Sequence, residues 1–568
     1  MQKRFIAVFG LLLLGFCPIL KAQAKEDLLV ITDRSVYLSG ESVFFSLYCI
    51  DSSLKNYAEN SKLAYVELIN QEKTAVVQSI VRLDKGRGQG VLYTNFQFSS
   101  GIYEFRAYTN WMRNWGESSY FRKPLLLVNP YDSSFFVENK KKLAATVSRS
   151  SATSRNDNQS PEAIIQLNAP VIPSRSLIEC RVNFSTSIPA SGLTVTVVPA
   201  DEPELPEWVN EPSLSSGATK NIEFLPELEG PLIKVAVTDI TNGEPVKNVM
   251  GILNSTGNAI IVSAAKTNQQ GICWFNPGLR LQRGAIFAQI LNAGKREDQL
   301  KLEIEHFFAP VSETISSGYP RLSEEQVELL RKRFIHLQLA ADSQPTINLN
   351  DTSQLRFLDT IPFGKPDMRY RLKDYTRFLS MQEIFREFIP EVRVRKVDSL
   401  FQVKVRNKSI PGFFEGDPLI LLDGQIITNP NFLLELNPLE IEEIEILMQK
   451  LIVNGLVNDG AILVKSNGKI AKTGVLPVHA LTLFYPGIQQ VVSTSWPDYA
   501  KKVPATDRIP DRRQLLYWSP KISDTDDLHE INIKFFSSDI PGKYRIRIRG
   551  LDSKLHPVDI STVFTVEN

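Results

Sequence analysis

Ser42-Val43-Phe44-Phe45-Ser46-Leu47-Tyr48 is rich in β-branched and aromatic residues and follows the turn Ser39-Gly40-Glu41, which predicts a strand. Outward from it, Leu28-Leu29-Val30-Ile31-Thr32 and Leu63-Ala64-Tyr65-Val66-Glu67-Leu68 repeat the pattern, and Lys85-Gly86-Arg87-Gly88 punctuates it. Short strands at this spacing predict an antiparallel β-sandwich over residues 27–130. Gly86-Arg87-Gly88-Gln89-Gly90 has the glycine density of a nucleotide-binding loop, but Val91-Leu92-Tyr93-Thr94 follows as a strand where such a loop needs a helix. It is read as a hairpin turn.

The chain has 568 residues, 64 Lys and Arg against 63 Asp and Glu, five His and four Cys. At roughly 150 residues per domain this predicts about three to five units. The near-neutral balance excludes a whole-molecule polyanion binder, and the few cysteines exclude a disulfide scaffold. Lys3 and Arg4, the apolar run 5–20 and Ala22-Gln23-Ala24 predict a cleaved secretory signal over 1–24. Its removal takes away Lys3, Arg4 and Lys21 and no acid, so the formal charge of +1 becomes −2. No later stretch reaches the roughly 20 apolar residues of a spanning helix, so membrane association is expected through a partner, in the periplasm or at the outer membrane. Cys49, Cys180 and Cys273 remain, read as buried thiols with at most one disulfide.

Thr32-Asp33-Arg34-Ser35-Val36-Tyr37-Leu38-Ser39-Gly40-Glu41 resembles the opening of the macroglobulin domain of alpha-2-macroglobulins and their bacterial relatives. Gly101-Ile102-Tyr103-Glu104-Phe105-Arg106-Ala107-Tyr108-Thr109-Asn110-Trp111-Met112-Arg113-Asn114 resembles the strand and turn closing that domain in a family of exported bacterial multidomain proteins. Alternation puts Tyr103, Phe105 and Ala107 on an inner face and Glu104, Arg106 and Tyr108 on an outer one; Trp111 to Trp115 reads as domain packing. Covalent protease trapping needs a Cys-Gly-Glu-Gln run, which no cysteine here has.

Residues 131–162 read as a linker and 163–225 as a β-sandwich unit whose clearest strand is Leu193-Thr194-Val195-Thr196-Val197-Val198. Residues 226–308 resemble a carboxypeptidase regulatory-like domain, a prealbumin-type sandwich, through Pro231-Leu232-Ile233-Lys234-Val235-Ala236-Val237-Thr238-Asp239 and Thr267-Asn268-Gln269-Gln270-Gly271-Ile272-Cys273-Trp274-Phe275. In the connector 309–362, Ser323-Glu324-Glu325-Gln326 is a capping box ahead of Val327, Leu330, Phe334 and Leu337, with Leu322 as staple, predicting a helix over 324–341.

Residues 363–470 resemble the plug domain of TonB-dependent outer-membrane receptors. The likeness rests on Gly364-Lys365-Pro366-Asp367, the capping box Ser380-Met381-Gln382-Glu383, Asp417-Pro418-Leu419-Ile420-Leu421-Leu422-Asp423-Gly424 and Asn437-Pro438-Leu439-Glu440-Ile441. Glu391-Val392-Arg393-Val394-Arg395 and Phe401-Gln402-Val403-Lys404-Val405-Arg406 alternate as strands. Only 102 residues follow Ser466, short of a 22-stranded barrel, so import by this chain alone is not expected. Glu313-Thr314-Ile315 faintly resembles a TonB-contacting segment and is read as linker. Residues 471–568 resemble the final β-sandwich of the same family. The fold class is mainly β, with tandem antiparallel β-sandwich domains plus one small α+β plug-like domain.

No metal-binding His pair, nucleophile elbow or phosphate loop occurs, so no catalytic residue, cofactor or metal is expected. Residues 365–408 carry twelve Lys or Arg against six Asp or Glu, either a solvated face or a surface for an anionic partner. Export disfavours nucleic acid. The expected function is a modular envelope protein that presents its plug-like domain to an outer-membrane barrel or envelope complex, docking through Asp417, Pro418, Asp423, Gly424, Asn437 and Pro438, with Arg393 and Arg395. The alternative is a macroglobulin-like binder of proteases or other envelope proteins, without a thioester.

Overall fold

In the computed structural model, residues 25–567 are described apart from 54–55, 133–134, 136–162, 189–191, 206–221, 257–259, 292–298, 313–321, 340–345, 349–363, 376–377, 398–399, 454–455, 469–476, 478, 490–492, 501–509 and 521–527. Residues 1–24, most of the linker, Glu313-Thr314-Ile315 and most of the loop after the connector helix lie outside the described residues, whereas Phe135 of the linker is buried beside Leu330. The chain is mainly β, built from several sheets in tandem.

The first unit is a continuous sheet wrapped from Glu26–Thr32 through Ser42–Asp51, Arg87–Tyr93, Ala75–Asp84, Leu63–Ile69 and Gly101–Tyr108 to Phe121–Val128 and Val36–Leu38. Along Ser42–Asp51, Val43, Phe45, Leu47 and Cys49 enter the unit's own core. The opposite face is buried as well: Phe44 and Tyr48 pack with Val198, Leu515, Trp518 and Leu551. Lys85 and Gly86 adopt φ of 48° and 73° between two antiparallel strands, the hairpin turn expected there.

Gly101–Tyr108 is buried on both faces, against the expectation of an outer polar face. Residues 307–310 cover that side. Phe308 meets Tyr65 edge-on, with ring centroids 5.6 Å apart, and Tyr108 Oη accepts from the Ala309 N–H at 2.6 Å. The Trp111–Trp115 turn packs as expected, with Asn114 bonding Phe224 O at 2.7 Å and Arg113 lying over the Phe224 ring at 3.9 Å.

The stretches read as separate units, 163–225 and 471–568, share one sandwich. One sheet orders Ala163–Leu167, Leu177–Ile188 and Leu528–Phe536. The other orders Val171–Pro173, Pro557–Glu567, Gly542–Leu551, Leu193–Pro199 and Tyr517–Ser519. Leu193, Val195 and Val197 share a core with Ile546, Ile548 and Phe564 of their own sheet and Ile531 and Ile533 of the other, because neither stretch alone has enough strands to close a core. Residues after 470 are also dispersed. Leu481–Tyr485 adds to the edge strand Gly284–Leu291 of the 226–308 unit, and Ile488–Gln489 pairs with Ala75–Asp84.

The 226–308 unit has two sheets, Ile272–Phe275, Ile233–Asp239, Leu300–Ile304 and Ile261–Lys266, Met250–Ser255, Gly284–Leu291. The helix Glu324–Leu339 begins at the expected capping box, with the Gln326 N–H donating to Ser323 Oγ at 3.1 Å and the Ser323 N–H to Gln326 Oε1 at 2.9 Å. Its Leu330, with Leu322 beneath, packs on Val36, Leu126 and Val128. No helix among the described residues is long and apolar enough to cross a membrane. Cys49, Cys180 and Cys273 are buried thiols, the first and third in one core and the second in another.

Candidate functional site

The described residues of 363–470 are organised around the mixed sheet Met368–Arg371, Ile441–Val453, Leu456–Ser466, Leu419–Leu422, Gln425–Ile426. Leu419–Leu422 runs parallel to Leu456–Ser466, so residues before it lie at one end of the sheet and residues after it at the other. The candidate docking residues are divided accordingly. Asp417 and Asp423 stand up to roughly 20 Å apart along the strand direction, at about 3.3 Å per residue.

At the first end, Val392–Val397 and Leu400–Val405 form a separate two-stranded sheet. Register gives each face its character. Val392, Val403 and Val405 enter the core of this region, while Arg393 pairs with Lys404 and Arg395 with Gln402 on the other face. Two cations directly opposite each other repel, and the structure answers this locally. Lys404 Nζ bonds exposed Asp417 at 2.9 Å, and the Arg393 guanidinium lies 4.5 Å over the Phe413 ring. Arg395 is exposed. Pro418, half-buried, follows Asp417 into the sheet. Asp367, at the sheet margin, is opposed by burial, yet the Lys408 ammonium and the Met448 N–H outweigh that and hold its carboxyl below the usual range.

At the second end, Asp423 and Gly424 form the two-residue turn of a hairpin, with φ of 48° and 83°, the backbone that Asp-Gly favours. Asp423 accepts from the Ser466 N–H at 2.8 Å and from Ser466 Oγ at 2.6 Å. Gly424 is buried, and its carbonyl accepts from Asn254 Nδ2 at 3.0 Å, while Ile426 O accepts from Gln289 Nε2 at 3.2 Å. Asn254 and Gln289 belong to the 226–308 unit, so this turn is already engaged within the chain. A Cβ on Gly424 would meet Ile260 Cγ1 at 3.0 Å. Gly424→Ala is expected to cost about 1–2 kcal/mol, because an L side chain resists this backbone; an unchanged urea midpoint would show that the turn tolerates it.

Asn437 and Pro438 lie at this second end. Asn437 Oδ1 accepts from the Leu439 N–H at 3.0 Å, and the Asn467 N–H donates to Glu440 O at 2.9 Å. Buried Pro438 lines a cleft of about 540 Å³. Leu372, Ile384 and Ile441 floor it, Tyr375, Phe388 and Leu439 wall it, and Arg371, Lys373, Glu442 and Lys465 rim it. Burial opposes ionisation of Glu443, but Lys465, Arg369 and Arg371 together keep its carboxyl below the usual range.

The sequence reading missed this cleft, whose lining comes from four separated segments, and missed Lys404 and Phe413 as neighbours of Arg393. The period-two placement of Arg393, Arg395, Lys404 and Arg406 carried the signal for the latter, but only cross-strand register joins them. Among the described residues, no group of three or more His, Cys, Asp or Glu side chains is placed to hold a metal ion.

No protein-family model matches the chain, and no curated protein does. Among solved structures, it overlaps Salmonella alpha-2-macroglobulin reacted with methylamine at 8% identity and a TM-score of 0.16, covering 96% of this chain and 24% of that one. Trypsin-activated alpha-2-macroglobulin from Escherichia coli overlaps at 9% identity and a TM-score of 0.16, again over 96% and 24%. The Escherichia coli adhesin FdeC overlaps at 10% identity and a TM-score of 0.15, over 48% of this chain and 62% of that one. The chain therefore spans about a quarter of the length of these macroglobulins, and overlaps of this size assign neither family nor activity.

Proposed function

We propose that this chain is a non-catalytic, modular cell-envelope protein, exported to the periplasm or outer membrane, that presents residues 363–470 to an outer-membrane β-barrel or envelope complex. The observation that supports this reading is an asymmetry in the plug-like region. Its Asp423-Gly424 hairpin bonds Asn254 and Gln289 of the preceding unit, and one face of its sheet, through Leu419, Leu421, Leu447, Leu451, Ala461 and Leu463, packs with Ile252 and Val262 there, whereas the hairpin carrying half-buried Arg393 and exposed Arg395 takes no part in that contact. A module held through one sheet face, with its cationic hairpin outside that contact, leaves the hairpin available to a partner. The return strand Leu481–Tyr485, paired with Gly284–Leu291, fixes the exit of the region to the same unit.

Affinity purification of the chain from gently solubilised envelopes, beside a deletion of residues 363–466, tests this. A β-barrel protein retained by the full chain and lost with the deletion is the expected result. Retention of the same proteins by both forms overturns it. Retention of a protease that is inhibited without covalent linkage would move macroglobulin-like binding ahead.

A further inference from the structure

The two-stranded sheet Val392–Val397 and Leu400–Val405 has one open side. The second strand is covered: the Phe401 N–H donates to Asn431 Oδ1 at 2.8 Å, and the Phe414 N–H to Val405 O at 2.9 Å. Among the described residues, no strand lies beside Val392–Val397 on its outer side, and Arg395, Lys396 and Val397 are exposed. An edge of this kind accepts an added strand through main-chain hydrogen bonds, with specificity set by alternate side chains.

The side chains bordering this edge define what would fit. Arg393 and Arg395 lie on one face, two residues apart; Val392 and Val394 lie on the other. A neighbouring strand would set its own alternate residues opposite these, where an opposite charge attracts and a like charge repels. On the cationic face Lys404 is answered by Asp417 and Arg393 stacks on Phe413, while exposed Arg395 has no ion-pair partner among the described residues.

We infer that the outer edge of Val392–Val397 is an acceptor for an extended acidic segment of a partner protein, in which Asp or Glu alternates with apolar residues. The acidic residues pair with Arg393 and Arg395, and the apolar ones continue the Val392 and Val394 side. This rests on the reading that the plug-like region is the presented module, and it names the chemistry presented.

The test uses the full chain and fluorescently labelled synthetic peptides of alternating Glu and Val, a same-composition peptide with the Glu residues in one block, and alternating Lys and Val. The alternating acidic peptide is expected to bind best, and Arg393→Glu with Arg395→Glu to weaken it by about tenfold or more. Lys301→Glu with Lys534→Glu, the same change in net charge at exposed strand positions of other units, is expected to leave binding unchanged, and a matched melting temperature shows that the double variant folds. Equal binding of the block peptide, an unaffected double variant, or binding confined to anionic lipid vesicles each overturns the inference. Envelope purification with the double variant separates the two claims. A barrel still retained leaves the presentation reading standing without this edge; peptide binding with no envelope partner leaves the edge standing without that reading.

Discussion

Arg106→Ala is expected to destabilise the first unit by about 3–5 kcal/mol, the cost of stranding a buried partner charge. Arg106 is only 1% exposed. Its Nε and Nη2 donate to Glu67 Oε2 at 2.9 and 2.6 Å, its Nη1 to Glu117 at 3.3 Å, and two further bonds reach Ala309 O at 2.8 Å and Pro310 O at 3.1 Å. Tyr108 and Tyr120 flank the guanidinium at 5.4 and 5.6 Å. Removing the side chain leaves Glu67, itself fully buried, with Gln78 Nε2 at 2.8 Å and the Tyr108 hydroxyl as side-chain donors. It also removes two of the bonds that tie the 309–310 segment to the first unit. Arg106→Lys is expected to recover little, because a single ammonium cannot reproduce the fork. Denaturant unfolding measures both. A loss below about 1 kcal/mol for Arg106→Ala would mean that water or a neighbour replaces the guanidinium, a behaviour typical of surface pairs.

The second large effect is a pH dependence carried by Glu227. Burial is the main cause of a carboxyl pushed up to about 7, partly countered by the Leu232 N–H at 3.1 Å, by Tyr65 Oη at 2.8 Å and by the Arg113 charge, while Glu26 adds to the rise. Glu227 Oε2 is buried without a hydrogen-bond partner, the natural seat of the proton. A raised folded-state value means that the folded chain keeps a proton the unfolded chain has released. The stabilisation is therefore complete below about pH 4.5 and is lost as pH rises through about 7. Over that window the linkage amounts to about 3 kcal/mol, at roughly 1.4 kcal/mol per pH unit. Unfolding curves at pH 5 and pH 8 should show the chain weaker at pH 8, and Glu227→Gln should remove about that much of the difference. Glu26 is also raised by burial and contributes in the same direction, so some slope persists. Parallel pH profiles for the two proteins would rule Glu227 out as the source.

Local features were legible where a short run contains its own physics. The two capping boxes, the Asp423-Gly424 turn and the hairpin at Lys85-Gly86 each depend on residues within a few positions of one another. What lies on the far side of a strand was not legible. Arg106 and Tyr108 alternate as an outer face should, and only the arrival of residues 307–310 makes that face an interior. Phe44 and Tyr48 were read within one strand, but their burial depends on Trp518 and Leu551. The same holds for the candidate site. Arg393 and Arg395 could be placed on one strand face, whereas the separation of Asp417 from Asp423 and the capture of Gly424 by Asn254 follow from sheet order and module packing.

The shared sandwich has a consequence for how the chain comes into being. Arg175 and Asp539, joined by a 2.6 Å contact, are 364 residues apart. At a synthesis rate of about 5–20 residues per second, the first half of that sandwich waits roughly 20–70 seconds for its complement. During the wait, the side chains of Ile178, Val182, Val195 and Val197 lack their native cover. The first unit, the 226–308 unit and residues 363–470 all emerge before the wait ends, so the shared sandwich is the last to gain all its strands, and those last strands act as the clasp. A nascent chain with this layout has a built-in interval during which it remains incompletely closed, and in that interval it depends on whatever shields its uncovered strands.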